Sequence, residues 1–201
     1  EEWILAGDHF EASIRGPQGV DVYCKIPGAS HWQLMSEVKP GQYQSYFHLL
    51  DIDEELKTPV LYRMGFFSQR IRSAPLRILT DALGGLTIHG DTRVYDTPST
   101  DQLFFPLADS VSVQIIGLVN NMYHIRLGEY RTAYVIADLV ELDDSRKLHS
   151  AQYLGSMRSE NINDWTVFRI NTGDLRLPFE LKEKAVPSRL ELKVYGAKQG
   201  W

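Results

Sequence analysis

The stretch from Met122 to Leu142, MYHIRLGEYRTAYVIADLVEL, constrains the fold more than any other part of the chain. Met122, His124 and Arg126 alternate with Tyr123, Ile125 and Leu127, the period of two expected of a half-buried strand. Gly128 breaks that run and Arg131 to Ile136 resumes it, so the segment reads as a hairpin. Ile136-Ala137-Asp138-Leu139 is too short for an ordinary helix and suits one turn of 3₁₀, which delivers the chain into Val140-Glu141-Leu142. Small β-barrels end in this way.

The same short period runs through the residues before it. Phe10, Ala12 and Ile14 alternate with Glu11, Ser13 and Arg15; Gly16-Pro17-Gln18-Gly19 makes a turn; Val20 to Ile26 is the next strand and Pro27-Gly28 ends it. Pro40-Gly41 turns the chain into a strand with Tyr43, Ser45, Phe47 and Leu49 on one face. Asp51 to Lys57 is acidic and loop-like, and Val60 to Phe67 and Leu76 to Leu79 complete a set of strands with β-sandwich rhythm. Asp81 to Gly85 reads as a short linker. Beyond it, Thr92 to Tyr95 and Val111 to Val119 are strands, a polar loop covers Asp96 to Asp101, and Asn120-Asn121 suits a hairpin turn with positive φ.

From Arg146 onward three more half-buried strands are expected. Thr166, Phe168 and Ile170 share one face, Phe179 and Leu181 another, and Leu190, Leu192 and Val194 a third, with Arg189, Glu191 and Lys193 directed outward. Pro178 and Pro187 precede the last two, as at strand starts or sheet edges. So few strands make a thin core, and this segment is expected to be incomplete or to lean on the barrel. Ser145 to Met157 is the nearest approach to a helix of ten or more residues. The reading is therefore all-β, divided at 1–80, 84–145 and 146–201.

A length of 201 residues has room for such a division, and 43% apolar with 23% charged residues is ordinary for a globular protein rather than a disordered one. A net charge of −5 and a pI near 5.7 argue against a nucleic-acid partner, which would need clustered Lys and Arg. No apolar run reaches the roughly 18 residues of a transmembrane helix, so no transmembrane segment is expected, and the first residues lack the order of a signal peptide. A start at Glu1-Glu2-Trp3 rather than Met reads as a processed or a cut chain and leaves export open. Cys24, the only cysteine, lies on the apolar side of its strand with Val20, Val22 and Ile26, so a buried, inert thiol is expected.

Catalytic patterns are not apparent. The histidines fall at 9, 31, 48, 89, 124 and 149; no pair has the spacing of an HExxH helix, and no zinc site built from them is expected. There is no GxSxG elbow, and Gly84-Gly85 belongs to no phosphate-binding loop. The acidic stretch Asp51, Asp53, Glu54, Glu55 lacks the ligand register of an EF-hand and reads as a solvated loop. Aromatic residues carry more. Tyr95, Phe104, Phe105, Tyr123, Tyr130 and Tyr134 all belong to the barrel-like stretch, where they either fill the core or line a shallow groove for glycans or peptides. Phe105 and Tyr123 are assigned to the core; Tyr95, Tyr130 and Tyr134 are the candidate ligand-binding residues. Trp32, in a polar loop, is either an exposed contact or a plug over the end of the sandwich, and the plug is the reading preferred.

Three stretches in order resemble a known arrangement. Gly7-Asp8, Gly16-Pro17-Gln18-Gly19, Ile26-Pro27-Gly28 and Met35 to Tyr43 are similar to the pattern of an Ig-like sandwich near the N-terminus of some bacterial N-acetylmuramoyl-L-alanine amidases. Tyr123 to Gly128 with Ala133-Tyr134-Val135 resembles a bacterial SH3-like barrel, and Leu177 to Leu181 with Ser188 to Gly196 resembles the AMIN-style segment before the catalytic domain. The resemblance implies residues from the periplasm or cell envelope, exported with an enzyme that cuts peptidoglycan. The Asp-Pro-Gly-His-Gly-Gly start of the zinc-dependent domain is missing, so no catalytic residue carries over, no cofactor is expected in this chain, and zinc is expected only in a downstream domain. The implied role is a non-catalytic accessory region that binds peptidoglycan or an envelope protein. An interaction module that recruits or restrains the enzyme without glycan affinity is the alternative.

Overall fold

A period of two buries one face only when strands pair into sheets, and the chain is all β throughout the residues described by the computed structural model: 2–49, 54–65, 69–128, 131–143, 145, 152–173, 176–186 and 188–199. They form two compact units, Glu1–Asp81 with Gly117–Val119, and Ala82–Ile116 with Asn120–Trp201.

The first unit holds β1 (Glu2–Leu5), β2 (His9–Arg15), β3 (Val22–Lys25), β4 (Gln33–Leu34), β5 (Ser36–Lys39), β6 (Gln42–His48), β7 (Leu56–Met64) and β8 (Gln69–Leu79). One sheet runs β1–β8–β7–β3–β4, with β1 parallel to β8 and the other pairs antiparallel; a second runs β2–β6–β5. Inward residues of both sheets make one core, with Ala12, Tyr43 and Phe47 from the second meeting Val22, Cys24, Val60, Tyr62 and Ile78 from the first. Each fully buried aliphatic side chain there contributes about 1.5–3 kcal/mol of hydrophobic stabilisation. Tyr43, Ser45, Phe47 and Leu49 are all buried, so the face assigned from the sequence is the one that points inward.

The turn residues of this unit knot together. The Gly41 N–H donates to the Glu37 carboxylate at 2.6 Å and the Gly19 N–H to its other oxygen at 3.2 Å, while the Tyr43 hydroxyl donates to the Pro17 carbonyl at 2.6 Å. Gly41 has φ +72°, and a Cβ there would sit 2.6 Å from the Gly16 carbonyl oxygen. Glycine is required on both counts. The residues that carried the sandwich resemblance thus hold the two turns to each other, which is a structural task.

β8 begins earlier than Leu76, and β7 already starts at Leu56 inside the acidic stretch. Pro75 hides the first half of β8 in the sequence, yet it is tolerated because it faces Pro59 beside a bulge, where the Val60 N–H donates to Ser73 Oγ at 2.9 Å instead of to a strand. Phe67 lies outside the described residues.

The second unit begins with β9 (Leu83–Thr87), β10 (Thr92–Tyr95), β11 (Leu103–Leu107), β12 (Ser112–Val119, whose last three residues belong to the first unit), β13 (Met122–Gly128) and β14 (Arg131–Ile136). A 3₁₀ turn over Ala137–Leu139 leads into β15 (Val140–Leu142), as read from the sequence. Strand order is β11–β10–β14–β13–β12–β9–β15. Asn120 and Asn121 have φ of 51° and 60° and close the β12–β13 hairpin. Gly84-Gly85 is not a linker: it forms the middle of β9, hydrogen-bonded to β12 on one side and β15 on the other. A Cβ on Gly85 would lie 2.8 Å from Ile115 Cδ1 and 2.8 Å from Val140 Cγ1, so the glycine serves close packing rather than freedom. Val113, Ile115, Ile125, Leu127, Ala133 and Val135 are buried in the core.

β16 (Gln152–Leu154), β17 (Met157–Ile162), β18 (Trp165–Ile170), β19 (Phe179–Ala185), β20 (Ser188–Val194) and β21 (Ala197–Gln199) complete the unit. Among the described residues they form two-stranded ladders only: β16 with β21, β17 with β18, β19 with β20. The helix weighed over Ser145 to Met157 is replaced by strand from Gln152; residues 146–151 lie outside the described set. The strands are not half-buried, in contrast to the sequence reading. Phe168 is 54% exposed, Leu181 58% and Leu190 60%, because no second layer of described residues covers them. Among the described residues of the segment Leu177, Pro178 and Tyr195 are buried, and the Ser112 N–H donates to the Arg176 carbonyl at 2.9 Å. Among the described residues no helix is long and apolar enough to cross a membrane.

Candidate functional site

Strand register brings two of the three candidate tyrosines together. Tyr95 on β10 lies opposite Tyr134 on β14, and Tyr134 lies opposite His124 on β13, so the three share one face in a lateral row. The His124 and Tyr134 rings stack with centroids 4.6 Å apart and 9° between planes. Val94, Val135 and Tyr123 form the matching row on the other face and are buried, which puts Tyr123 in the core as expected. Tyr130 lies outside the described residues.

This row is more wall than groove. Tyr95 is 6% exposed and Tyr134 half-buried. Burial raises the Tyr134 phenol above its ordinary pKa, and burial followed by the Arg126 charge pushes the His124 imidazole down to about 4. The buried Nε2 of His124 has no hydrogen-bond partner among the described residues. At neutral pH His124 is an uncharged ring that stacks.

Aromatic contacts also tie the last segment to the sheet. Phe105, buried as expected, stacks on Tyr195 at 5.2 Å and 7°, and Arg131 sits 4.1 Å above the Phe104 ring. The Tyr195 hydroxyl donates to Glu180 at 3.3 Å; burial, then the Glu180 charge, raises its pKa. Tyr195 escaped the sequence reading because its partners come from residues about ninety positions earlier. In the first unit, Trp32 is half-buried, with Arg63 over its ring at 5.2 Å and over Tyr23 at 4.8 Å. Glu55 pairs with Arg77 at 2.8 Å, and Asp51 and Asp53 lie outside the described residues. Cys24 is fully buried, and burial drives its thiol up to about 11, so it stays protonated and unreactive at neutral pH. Among the described residues no group of three or more His, Cys, Asp or Glu is placed to hold a metal ion.

A broad concave surface lies elsewhere in this unit, on faces that the sequence pattern marks as apolar. The inward-turned sides of β17–β18 and β19–β20 line an open cleft of 1060 Å³. Phe168 and Ile170 line it from β18, Leu181 from β19, and Leu190, Leu192 and Val194 from β20. These are the same alternate positions that the sequence grouped as faces. Arg176, Arg189 and Glu183 are the charged residues of the lining. Arg189 is paired with Glu191 at 2.7 Å, and a hydrogen bond from Lys184 holds that carboxylate below its usual range. Hydrocarbon walls with isolated charges bind by burial rather than by making bonds. No protein-family model matches the chain, and no curated protein or solved structure matches it either.

Proposed function

We propose that this chain is a non-catalytic docking region of an exported peptidoglycan amidase, and that it holds an extended polypeptide along the cleft of β17–β20. The carrying observation is the exposed apolar face of those strands. Patches of this kind mark interaction sites, because leaving large side chains such as Leu181 and Leu190 in water forgoes about 25 cal/mol for each Å² that could be covered. An extended polypeptide suits it for two reasons. Among the described residues both ladders have only two strands, so each strand presents an edge whose backbone groups can accept a further strand. The apolar side chains also recur at every second residue, the spacing at which an added strand offers its own.

The envelope setting is supported by the order of the three motif-bearing stretches in the sequence. A second reading, glycan binding by the barrel-like sheet, is favoured by the lateral row of Tyr95, Tyr134 and His124, whose flat faces suit sugar rings.

Co-sedimentation separates the two. The docking reading expects the chain to pellet with wall fragments that retain their proteins, not with protein-free sacculi, and to lose pelleting on Leu181→Asp with Leu190→Asp. Pelleting with protein-free sacculi that Tyr134→Ala abolishes would replace it with the glycan reading.

A further inference from the structure

We infer that His9 and His48 form a two-histidine site for a divalent late transition-metal ion, with Cu²⁺ held most tightly. The two residues are 39 positions apart in sequence and are brought face to face at the end of the β2–β6 ladder. The Leu49 N–H donates to the Asp8 carbonyl at 3.0 Å, so residues 8 and 49 form a hydrogen-bonded pair. Antiparallel pairs alternate, which makes His9 and His48 a non-hydrogen-bonded pair, the kind in which Cα atoms are only about 4.5 Å apart and side chains approach most closely. The imidazole centroids are 4.6 Å apart with 32° between planes.

Both rings are exposed, and neither has another polar partner among the described residues. On the opposite, inward side the next pair, Phe10 and Phe47, stacks at 5.4 Å and fixes the spacing of the strands beneath the histidines. The next pair on the outer side, Glu11 and Tyr46, is closed on itself by a hydrogen bond that raises the Tyr46 phenol. The protein therefore supplies two nitrogen ligands on a rigid ladder, and water completes the coordination. Imidazole pairs of this kind select Cu²⁺, Ni²⁺ and Zn²⁺ over Mg²⁺ and Ca²⁺, with Cu²⁺ first in the affinity order. A bound ion would clip β2 to β6 at the end where Gly7 and Asp8 lead into the strand.

The test is a titration of the full chain with CuCl₂ at neutral pH, read by electron paramagnetic resonance and by thermal unfolding. The expected result is one ion bound through two imidazole nitrogens and an unfolding midpoint that rises with metal. His9→Asn and His48→Asn should each weaken binding roughly a hundredfold by removing the second, preplaced ligand, and the double variant should lose little more. His31→Asn and His89→Asn should leave binding unchanged. Binding at wild-type affinity in the double variant, or a spectrum with a single imidazole nitrogen in the wild-type chain, would overturn the assignment. Both substitutions lie at exposed positions, and the unfolding curve without metal shows directly that the variants fold.

Discussion

β12–β14 and β17–β20 carry much the same alternation of apolar and polar residues, yet one set is core and the other surface. Ile125, Leu127 and Val135 are wholly or almost wholly buried, while Phe168, Leu181 and Leu190 are mostly exposed. The difference lies in what surrounds the strands. β13 is flanked by β12 and β14 in a many-stranded sheet, whereas among the described residues β18 pairs with β17 alone and β20 with β19 alone. Period-two patterning decides which face of a strand is apolar. Whether that face is filled depends on how many strands share it, and a two-stranded ladder is at best marginally stable by itself.

Truncating one apolar side chain in each set of strands separates core from surface. Ile125→Ala should cost about 2–5 kcal/mol in denaturant unfolding, against less than about 0.5 kcal/mol for Leu190→Ala in the chain without a partner. Equal costs would mean that the cleft is filled in solution. Gly85→Ala should cost about 1–3 kcal/mol, since its new Cβ must displace Ile115 and Val140 in a filled core.

pH sharpens the contrast further. His124 is held neutral with a pKa of about 4 in the folded state, below its unfolded value, so the unfolded chain binds the proton first as pH falls. Its contribution is whole above about pH 6.5 and is lost as pH falls towards 4, by on the order of 2 kcal/mol. His124→Gln should flatten unfolding stability over that window relative to wild type, a difference measurable by urea titration at several pH values. The smallest effect belongs to the hairpin turn: Asn121→Gly, at φ 60°, should stabilise by a few tenths of a kcal/mol, roughly the relief of left-handed strain.

Much of this architecture is legible in local pattern. The hairpin of β13 and β14, the 3₁₀ turn, the Asn120-Asn121 turn and the inward face of β6 all follow from spacing within a few residues. What escaped was set by distant partners. Gly84-Gly85 looks like a linker until Ile115 and Val140 are seen against it, and Pro75 looks like a strand breaker until it meets Pro59 at a bulge. β11 was hidden in the same way, with Pro106 on an exposed position of an edge strand. Of the candidate tyrosines, pairing between β10 and β14 joins Tyr95 to Tyr134, but sequence spacing does not report that Tyr95 is buried. His9 and His48 were weighed by their spacing along the chain, where only the ladder register makes them neighbours.

On the proposed function, the β17–β20 cleft docks a polypeptide. This is tested most directly by placing a photo-crosslinking amino acid at Leu190 in the cleft and, for comparison, at exposed Thr132 on β14, then irradiating the chain in the cells that make it. The expected result is a discrete adduct from position 190 and none from 132, with a second polypeptide of different mass from this chain, lost on Leu181→Asp. Equal adducts from both positions, no adduct from 190, or an adduct with the mass of two copies of this chain would contradict it.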